Sequence, residues 1–318
     1  MKRLQRLRRT TALRDLCAET GFGAAQLIQP LFLDAAASQP RAIAGLQGNQ
    51  THDAQSLLVQ VEADLAAGVR HFLLFPVPAA KHASNFNADF AAESIARIRS
   101  ACGEHASLWV DTCLCSFTHT GHCCLFDAHG RQDLSATLDE ISRLALTYAG
   151  AGADGVSPSD MNDGRVAHLR TRLDAAGHEL VPIMSYSSKF ASSFYGPFRL
   201  AAQSTPMHGD RRSYQLDVRS RRDAIAASQR CAEEGADLLM VKPGMSSLDL
   251  LAPIAAATAK PVGAYQVSGE YAALVLLGRE GLGDFDALLL ESWQVFRRAG
   301  ASYIITYGAR HARRLGLN

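Results

Sequence analysis

Eight short apolar runs alternate along the chain with longer stretches in which apolar residues recur at helical spacing. The predicted strands are Leu27–Leu33, His71–Val77, Leu108–Cys113, Gly155–Ser157, Leu180–Ser185, Leu238–Lys242, Val262–Val267 and Tyr303–Tyr307. The helical stretches between them include Asp53–Ala67, Ala92–Ala101, Leu138–Ala149, Arg222–Glu234, Ser247–Ala259 and Leu288–Arg298. Near-continuous apolar strands alternating with helices indicate a parallel sheet in an α/β protein, and eight such units predict a (β/α)8 barrel. An open doubly wound sheet is the alternative.

The segment before the first predicted strand, residues 1–26, is rich in basic residues, with five in the first ten positions. It lacks the apolar run of a secretory signal. We therefore expect an extended or helical N-terminal arm over 1–26 and a catalytic barrel over 27–318. An organelle transit peptide is the alternative for the basic segment.

Polar and ionisable residues follow six of the eight predicted strands, at Asp111, Cys113, Cys115, Asp160, Lys189, Lys242, Ser268 and Tyr307. In barrel enzymes the active site is assembled from the C-terminal ends of the strands and the loops that follow them. The connections at 114–137 and 186–217 are also longer than ordinary loops, which favours a functional role. Ordinary polar loops would produce part of this pattern. Whether these positions form an active site therefore depends on the chemistry of the individual residues.

The composition limits the classes of protein that the chain can represent. With 318 residues, of which 47% are apolar and 20% charged, it has enough apolar material for a packed core, which excludes a disordered or fibrous protein. The 32 basic residues against 31 acidic ones give a net charge of +1 and no reason to expect nucleic acid or an anionic membrane as a partner. No apolar run approaches the roughly 18–20 residues of a membrane helix. We expect a cytoplasmic protein.

Two lysines stand where an amine could act as a nucleophile. Lys242 ends the apolar run of the sixth predicted strand, and Lys189 follows the fifth. Burial disfavours the charged form of an amine, and two ammonium groups held close together lower each other's pKa. A neutral amine attacks a carbonyl to form a Schiff base. A lysine at the rim of the barrel, or one paired with a carboxylate, is the alternative for each residue.

The chain has seven cysteines: Cys17, Cys102, Cys113, Cys115, Cys123, Cys124 and Cys231. The odd number and the absence of a signal peptide indicate a reducing compartment rather than a disulfide framework. A C-x-C-x7-C spacing lets Cys113, Cys115 and Cys123 converge from one loop, and three soft ligands with an open fourth position are typical of a catalytic zinc site. His122 and Cys124 are alternative ligands, and buried cysteines that bind no metal are the other interpretation.

A Gly- and Ser-rich stretch after the fifth predicted strand is bordered by Arg199, Arg211 and Arg212 and also contains Phe194. Guanidinium groups on a mobile loop suit a substrate carboxylate, and closure of the loop would exclude water from an imine. Ser268 and Tyr307 could donate hydrogen bonds to the same kind of carboxylate; ordinary polar strand ends are the alternative for them. A solvated surface loop is the alternative.

Nine stretches together resemble one enzyme family, porphobilinogen synthase or 5-aminolevulinate dehydratase, in the family's order from near residue 6 to near residue 312. They read LIQPLF, LFPVP, DTCLCSFTHTGHC, GADGVSPSDMNDGRV, IMSYSSKFASSFYGPFR, GDRRSYQL, EGADLLMVKPGM, YQVSGEYA and RAGASYIITY. The resemblance implies a barrel whose N-terminal arm wraps a neighbouring subunit, usually in a homo-octamer. It also implies the condensation of two 5-aminolevulinate molecules to porphobilinogen with loss of two waters, an early step of haem and tetrapyrrole synthesis.

The resemblance also implies roles for individual residues. Lys189 and Lys242 match the two Schiff-base lysines, with Lys242 holding the substrate that becomes the propionate side. The matched substrate-carboxylate contacts are Arg199, Arg211, Ser268 and Tyr307, and the matched zinc ligands are Cys113, Cys115 and Cys123. Asp111 and Tyr186 are candidates for supporting the zinc site or moving protons, with Phe194 a further supporting residue.

Two departures from the family pattern bear on metals. Ala227 stands where many bacterial members carry a glutamate that helps to bind an allosteric magnesium, so we expect weak or absent stimulation by magnesium. Ser213 stands where some zinc-type members have another cysteine, which argues against a second zinc near His122.

Two other functions compete with the condensation. A class I aldolase-like barrel needs one catalytic lysine and no zinc. A catalytically silent homologue would bind zinc and act as a scaffold.

Overall fold

The computed structural model describes residues 8–317, so residues 1–7 of the predicted arm and residue 318 lie outside the described residues. The strands are β1 (Leu27–Asp34), β2 (Arg41–Ala42), β3 (Gln50–His52), β4 (His71–Val77), β5 (Ser107–Thr112), β6 (Leu125–Phe126), β7 (Gln132–Asp133), β8 (Gly155–Pro158), β9 (Met184–Lys189), β10 (Leu238–Lys242), β11 (Val262–Tyr265) and β12 (Tyr303–Ile305). The helices are α1 (Thr11–Leu16), α2 (Ala54–Ala66), α3 (Asp89–Cys102), α4 (Leu134–Gly150), α5 (Arg165–Ala175), α6 (Gly196–Ala201), α7 (Arg221–Glu233), α8 (Leu248–Thr258), α9 (Ser268–Arg279) and α10 (Phe285–Arg298).

Eight of these strands form a parallel sheet in the order β8-β5-β4-β1-β12-β11-β10-β9. A parallel bridge between Val156 of β8 and Ile183, the residue before β9, brings the two ends of the sheet together, so that the barrel is nearly closed. The predicted (β/α)8 barrel is confirmed. The open doubly wound sheet is wrong, because β8 and β9 meet instead of forming two free edges.

Burial on both faces explains why the barrel strands are apolar almost without interruption. All eight residues of β1 are buried, as are six of the seven in β4. The surrounding helices bury only one stripe each. In α10, which starts after the N-cap Asp284, the stripe consists of Leu289, Trp293 and Phe296. This packing fixes the strand ends from which the loops start.

The prediction for the fifth strand is wrong in position. It covered Leu180–Ser185, whereas β9 spans Met184–Lys189 and Leu180 is 95% exposed. The strand contains three buried serines, which weaken the apolar signal in the sequence. Their hydroxyl groups are satisfied inside the fold, since Ser187 and Ser188 both form hydrogen bonds of 2.8 Å with Ser228 of α7. Lys189 is consequently the last residue of a barrel strand and not part of the following loop.

A bulge in β9 determines where its side chains point. Ser185 pairs with Leu239 and Ser188 pairs with Val241, so β9 advances three residues while β10 advances two. In a regular strand, residues three apart face opposite sides. The extra residue lets Tyr186 and Lys189 face the same interior, with the Lys189 Nζ 5.5 Å from the centre of the Tyr186 ring.

The two long connections carry small elements of their own. The hairpin β6–β7 lies within residues 114–137, and α6 lies within residues 186–217. At the N-terminus, none of the side chains of α1 is buried, and Leu16 is 80% exposed. Among the helices of residues 8–317, none combines the length and the apolar character needed to cross a membrane.

Candidate active site

Two amines lie side by side at one end of the barrel. Lys189 and Lys242 are the last residues of neighbouring strands, and their backbones pair in register. Only 5% of Lys189 and 3% of Lys242 is exposed. The Nζ of Lys189 donates a hydrogen bond to the carbonyl of Ser159, at the end of the adjoining strand β8. The fold therefore brings together the two lysines that the sequence singled out.

Aromatic rings surround the amine of Lys242. Its Nζ lies 4.1 Å from the centre of the Tyr265 ring, 4.9 Å from those of Tyr186 and Phe198 and 5.5 Å from that of Tyr195. Loss of solvation, followed by repulsion from Lys189, lowers the pKa of Lys242 well below its ordinary value. The shift increases the share of the neutral amine, which is the nucleophilic form.

Two buried polar atoms close to the amines have no partner among the described residues. They are the Oδ1 of Asp111, on β5, and the hydroxyl of Tyr186, whose ring lies between the two lysines. Burial, followed by the charge of Cys115, raises the pKa of Asp111 to about 7. Since buried polar groups in proteins are almost always paired, these two atoms are available to a bound molecule.

The residues proposed to contact a carboxylate approach the same end of the barrel. Ser268 is the first residue of α9, and its hydroxyl accepts a hydrogen bond of 3.1 Å from the backbone N–H of Phe198. The Tyr307 hydroxyl lies 3.3 Å from the hydroxyl of Tyr265. The ring of Phe194 is 47% exposed, and this residue contributes its carbonyl, which accepts a 2.8 Å bond from the N–H of Gly269.

Two arginines supply positive charge on the loop side. The Nε atoms of Arg199 and Arg211 lack partners, although Arg211 is only 4% exposed. Arg211 donates to the carbonyls of Gly121 and Ser204. Burial and the neighbouring Arg211 lower the pKa of Arg199. By contrast, Arg212 is an exposed residue beside Asp210, in agreement with the alternative of a solvated loop for this arginine.

Contacts between two loops close over the site. The loop after α6, residues 202–216, packs against the cysteine loop, residues 113–124. The Ser116 hydroxyl donates to the carbonyl of Ala202 at 2.8 Å, and the N–H of Met207 donates to the carbonyl of Thr120 at 2.9 Å. Arg211 adds its 2.8 Å bond to Gly121. These bonds hold Arg211 against the cysteine loop.

The three predicted ligands form one buried group. The sulfurs of Cys113, Cys115 and Cys123 lie within 4.8 Å of one another, and Cys113 and Cys115 are 3.5 Å apart. Three sulfurs around one tetrahedral zinc lie about 3.8 Å apart, so these thiols could hold a metal ion with little movement. Hydrogen bonds from Cys113 and Cys123 lower the pKa of Cys115 well below its ordinary value. Cys115 is therefore the thiol of the group that loses its proton most readily, whereas the same contacts raise the pKa of Cys113.

The alternative ligands do not join this group. Both ring nitrogens of His122 are engaged, Nδ1 with the Tyr214 hydroxyl at 3.0 Å and Nε2 with the carbonyl of His208 at 2.9 Å. The same Tyr214 hydroxyl accepts a bond from the N–H of Cys123. Cys124 lies outside the cluster of sulfurs, and burial raises its pKa to about 12. His122 therefore stabilises the cysteine loop through its hydrogen bond with Tyr214 and does not serve as a ligand in this arrangement.

Asp160, another polar strand end, belongs to a structural network. Its Oδ1 accepts two bonds from Asn162, of 2.7 and 2.6 Å, and its Oδ2 lies 3.8 Å from the fully buried Arg165. This network fixes the turn next to the Ser159 carbonyl that receives Lys189.

A comparison of the whole chain with protein families decides its membership. The family model described as "Delta-aminolevulinic acid dehydratase" matches residues 1–315. The chain belongs to the delta-aminolevulinic acid dehydratase family. The family member from Mycobacterium tuberculosis is 40% identical over 314 residues, which cover 97% of this chain and 95% of that protein. The member from Escherichia coli K12 is 38% identical over 314 residues, covering 97% and 96%. The resemblance inferred from the nine motifs is confirmed.

Solved structures agree with this assignment. Delta-aminolevulinic acid dehydratase (porphobilinogen synthase) from Toxoplasma gondii, crystallised with the reaction product porphobilinogen, superimposes with a TM-score of 0.95 at 36% identity, covering 99% of this chain and 91% of that one. A putative deoxyribose-phosphate aldolase from Coccidioides immitis gives a TM-score of 0.50 at 12% identity, covering 92% and 85%. The second likeness shows a shared barrel fold alone.

Several residues around the amines were missed in the sequence. The rings of Phe198, on α6, and Tyr265, on β11, face Lys242, yet single aromatic residues on a helix and a strand give no pattern of their own. Glu270, on the first turn of α9, is also close to the site, as described below. Its spacing from Val267 is that of a capping box, but the N-cap is not a serine or threonine, so the signal is weak.

Proposed function

We propose that this family member is a lyase that condenses two molecules of 5-aminolevulinate to porphobilinogen with loss of two waters. The observation that carries this proposal is the pair of buried amines at adjacent strand ends beside three converging thiols. The Toxoplasma gondii structure, which contains porphobilinogen, supports the same product for this chain.

The two lysines would divide the reaction between them. Each amine attacks a substrate ketone and forms an imine with loss of one water; one imine then acts as the electrophile, and the other supplies an enamine carbon. Holding both substrates on neighbouring strands converts an encounter between two identical ketones into an oriented reaction. On the resemblance to the family, we assign to Lys242 the substrate that becomes the propionate side.

The remaining polar groups would hold and protonate the substrates. Arg199 and Arg211 suit one carboxylate because their unpartnered N–H groups approach from the loop side. Ser268 and Tyr307 would donate to the other. The unpaired atoms of Asp111 and Tyr186 are candidates for accepting or donating a proton during imine exchange.

We further propose zinc as the metal at Cys113, Cys115 and Cys123. Three thiolates are soft ligands, which suit zinc and not magnesium, and they leave a fourth position free. Zinc held there would supply Lewis acidity next to the second substrate. Ala227 offers no carboxylate to a second, activating magnesium, so our expectation of weak or absent stimulation by magnesium stands as a prediction.

The assembly and location are also proposals. An exposed α1 with no buried side chain supports an arm, spanning residues 1–26, that packs on a neighbouring subunit of a homo-octamer, while residues 27–318 form the catalytic barrel. Seven cysteines without disulfide bonds support a reducing compartment, and we propose the cytoplasm.

The test is a colorimetric assay for the pyrrole product with 5-aminolevulinate as the only substrate. We expect product from the purified protein, loss of activity after chelation and recovery when zinc is restored. Product formation unaffected by verified metal removal would contradict the zinc assignment. A protein that binds zinc and forms no product would be a scaffold. Retro-aldol cleavage insensitive to chelators would indicate an aldolase-like enzyme.

A further inference from the structure

A buried glutamate outside the proposed reaction machinery joins two parts of the site. Glu270 lies on the first turn of α9 and is only 4% exposed. Its Oε2 accepts a bond of 2.9 Å from the N–H of Val267, the N-cap of the same helix. Its Oε1 accepts bonds of 2.8 and 3.3 Å from the N–H groups of Met245 and Ser246. One carboxylate therefore satisfies backbone donors from two separate segments.

Both segments lead directly to residues of the proposed site. Met245 stands three positions after Lys242, in the turn that follows β10. Val267 immediately precedes Ser268, whose hydroxyl and following N–H hold the segment around Phe194 and Phe198. The glutamate consequently connects the amine-bearing strand to the helix that carries the carboxylate-binding hydroxyl.

A capping box alone does not account for this arrangement. A capping glutamate needs one oxygen for the N-cap N–H and is ordinarily free to leave the other in water. Here the second oxygen is buried against a different loop. No ion pair compensates the charge among the residues that the structure describes, and burial raises the pKa of Glu270 to about 7. Burying a carboxylate without a cation costs free energy, so we expect Glu270 to have a role beyond capping the start of α9.

We propose that Glu270 is a positioning residue for Lys242: by clamping the turn after β10 to the start of α9, it fixes the amine against its aromatic wall and at a set distance from Ser268. This inference rests on the function proposed above for Lys242. On its other side, the carbonyl of Lys242 accepts bonds from the Phe190 N–H at 2.9 Å and the Tyr195 hydroxyl at 3.2 Å, and within the turn the N–H of Gly244 donates to the carbonyl of Tyr265 on β11 at 2.7 Å. Without the clamp, Met245 and Ser246 would lose their bonds to α9, the turn beyond Gly244 would loosen, and the amine would become more hydrated.

The decisive variant is Glu270→Gln, which keeps the size of the side chain but places an NH2 group where an oxygen now accepts. Its matched control is Asp284→Asn, the same change at the N-cap of α10, where the carboxylate accepts from the N–H of Ala287 at 2.8 Å. Both proteins are incubated with 5-aminolevulinate, reduced with borohydride and mapped by mass spectrometry. We expect trapping at Lys242 to fall about tenfold in Glu270→Gln, with Lys189 within about twofold of wild type and the control unchanged.

A second measurement does not depend on the condensation. Competitive acetylation at pH 8 compares the reactivity of the two amines in the unliganded protein. We expect labelling of Lys242 to fall several-fold in Glu270→Gln, because a hydrated amine regains a proton. Removal of a nearby negative charge alone would have the opposite effect and increase labelling, so an increase or no change would overturn the proposal.

The outcomes separate this inference from the proposed function. Wild-type protein that traps substrate on neither lysine contradicts the condensation, and the acetylation result then decides the role of Glu270. Trapping that falls equally at both lysines indicates general loosening of the barrel and overturns the positioning role. Should Glu270→Gln not fold, Glu270→Asp keeps the charge but shortens the reach to Met245, and unchanged trapping at Lys242 in that variant would also overturn it.

Discussion

Lys189 and Lys242 both reach the interior of the barrel because of a single extra residue in β9. The bulge turns Tyr186 and Lys189 to the same interior, and the register of the two strands places the lysines at the same height. The low polarity around Lys242 then favours its neutral amine. Nucleophilicity at this position is therefore a consequence of packing rather than of a neighbouring base.

The cysteine group can be tested against a cysteine that lies next to it in the chain. Cys123→Ser removes one of three soft ligands, whereas Cys124→Ser alters a buried thiol outside the group. We expect Cys123→Ser to reduce bound zinc from one ion per chain to a small fraction and to reduce pyrrole formation at least a hundredfold. Cys124→Ser should retain both. The measurements are metal analysis of the dialysed protein and the colorimetric assay; equal zinc content in the two variants would contradict the ligand assignment.

At the residue scale, the sequence predicted which residues belong to the site better than it predicted the side chains that surround them. The spacing of three cysteines in one loop was sufficient to predict their convergence, because short segments limit how far their side chains can separate. The part played by Tyr214 could not be predicted, since it reaches His122 across about ninety residues of chain. Long-range contacts of this kind depend on how loops fold over the barrel.

Two loops form the cover of the site, and a glycine sets how closely they approach. Gly121 has a φ of +69°, and a Cβ at this position would lie 2.3 Å from the carbonyl oxygen of Thr205. Only a residue without a side chain permits this contact. The hydrogen bonds of Arg211 and Ser116 cross the same interface.

Gly121→Ala should therefore open the cover. The matched control is Gly130→Ala, in the β6–β7 hairpin, which has a φ of +74° but no atom within 4 Å of the added Cβ. Both variants bear the strain of a positive φ, about 1–2 kcal/mol. Only Gly121→Ala should lower kcat/KM for 5-aminolevulinate, by about tenfold, and speed proteolysis within residues 202–216. Equal kinetics for the two variants would show that the contact of the loops has no role in catalysis.

At the element scale, continuous apolar runs predicted the barrel strands, and the run with buried serines was misplaced. The sequence cannot reveal that Ser187 and Ser188 find a partner in Ser228, forty residues further along the chain. The helix α9 was absent from the prediction for a similar reason: its start is capped by Glu270, and the usual N-cap residues are missing.

For the whole molecule, the exposed N-terminal helix predicts assembly. An octamer of 34.2 kDa chains has a mass of about 270 kDa. We expect this mass for the full chain by light scattering and smaller species after deletion of residues 1–20. A monomeric full-length protein would contradict the assembly, as would an unchanged octamer after the deletion.

The stability of the fold should decrease in acid through His52. Burial and the charge of Arg310 lower the pKa of this histidine to about 4. The unfolded chain therefore binds more protons than the folded chain between pH 6.5 and 4, and stability is lost as the pH falls through that range. Between pH 7 and pH 5, the free energy of unfolding of His52→Gln should fall by about 2 kcal/mol less than that of the wild type, as measured by urea unfolding. His129→Gln, at an exposed position, is the control and should behave as wild type.

Our central claim is that both buried amines form imines with substrate. The most direct test is borohydride reduction of the wild-type protein with isotopically labelled 5-aminolevulinate, followed by peptide mapping, with turnover of Lys189→Met measured in parallel. We expect adducts on both Lys189 and Lys242 and turnover of the variant reduced at least a thousandfold. An adduct confined to one lysine, or near-normal turnover of Lys189→Met, would contradict the account.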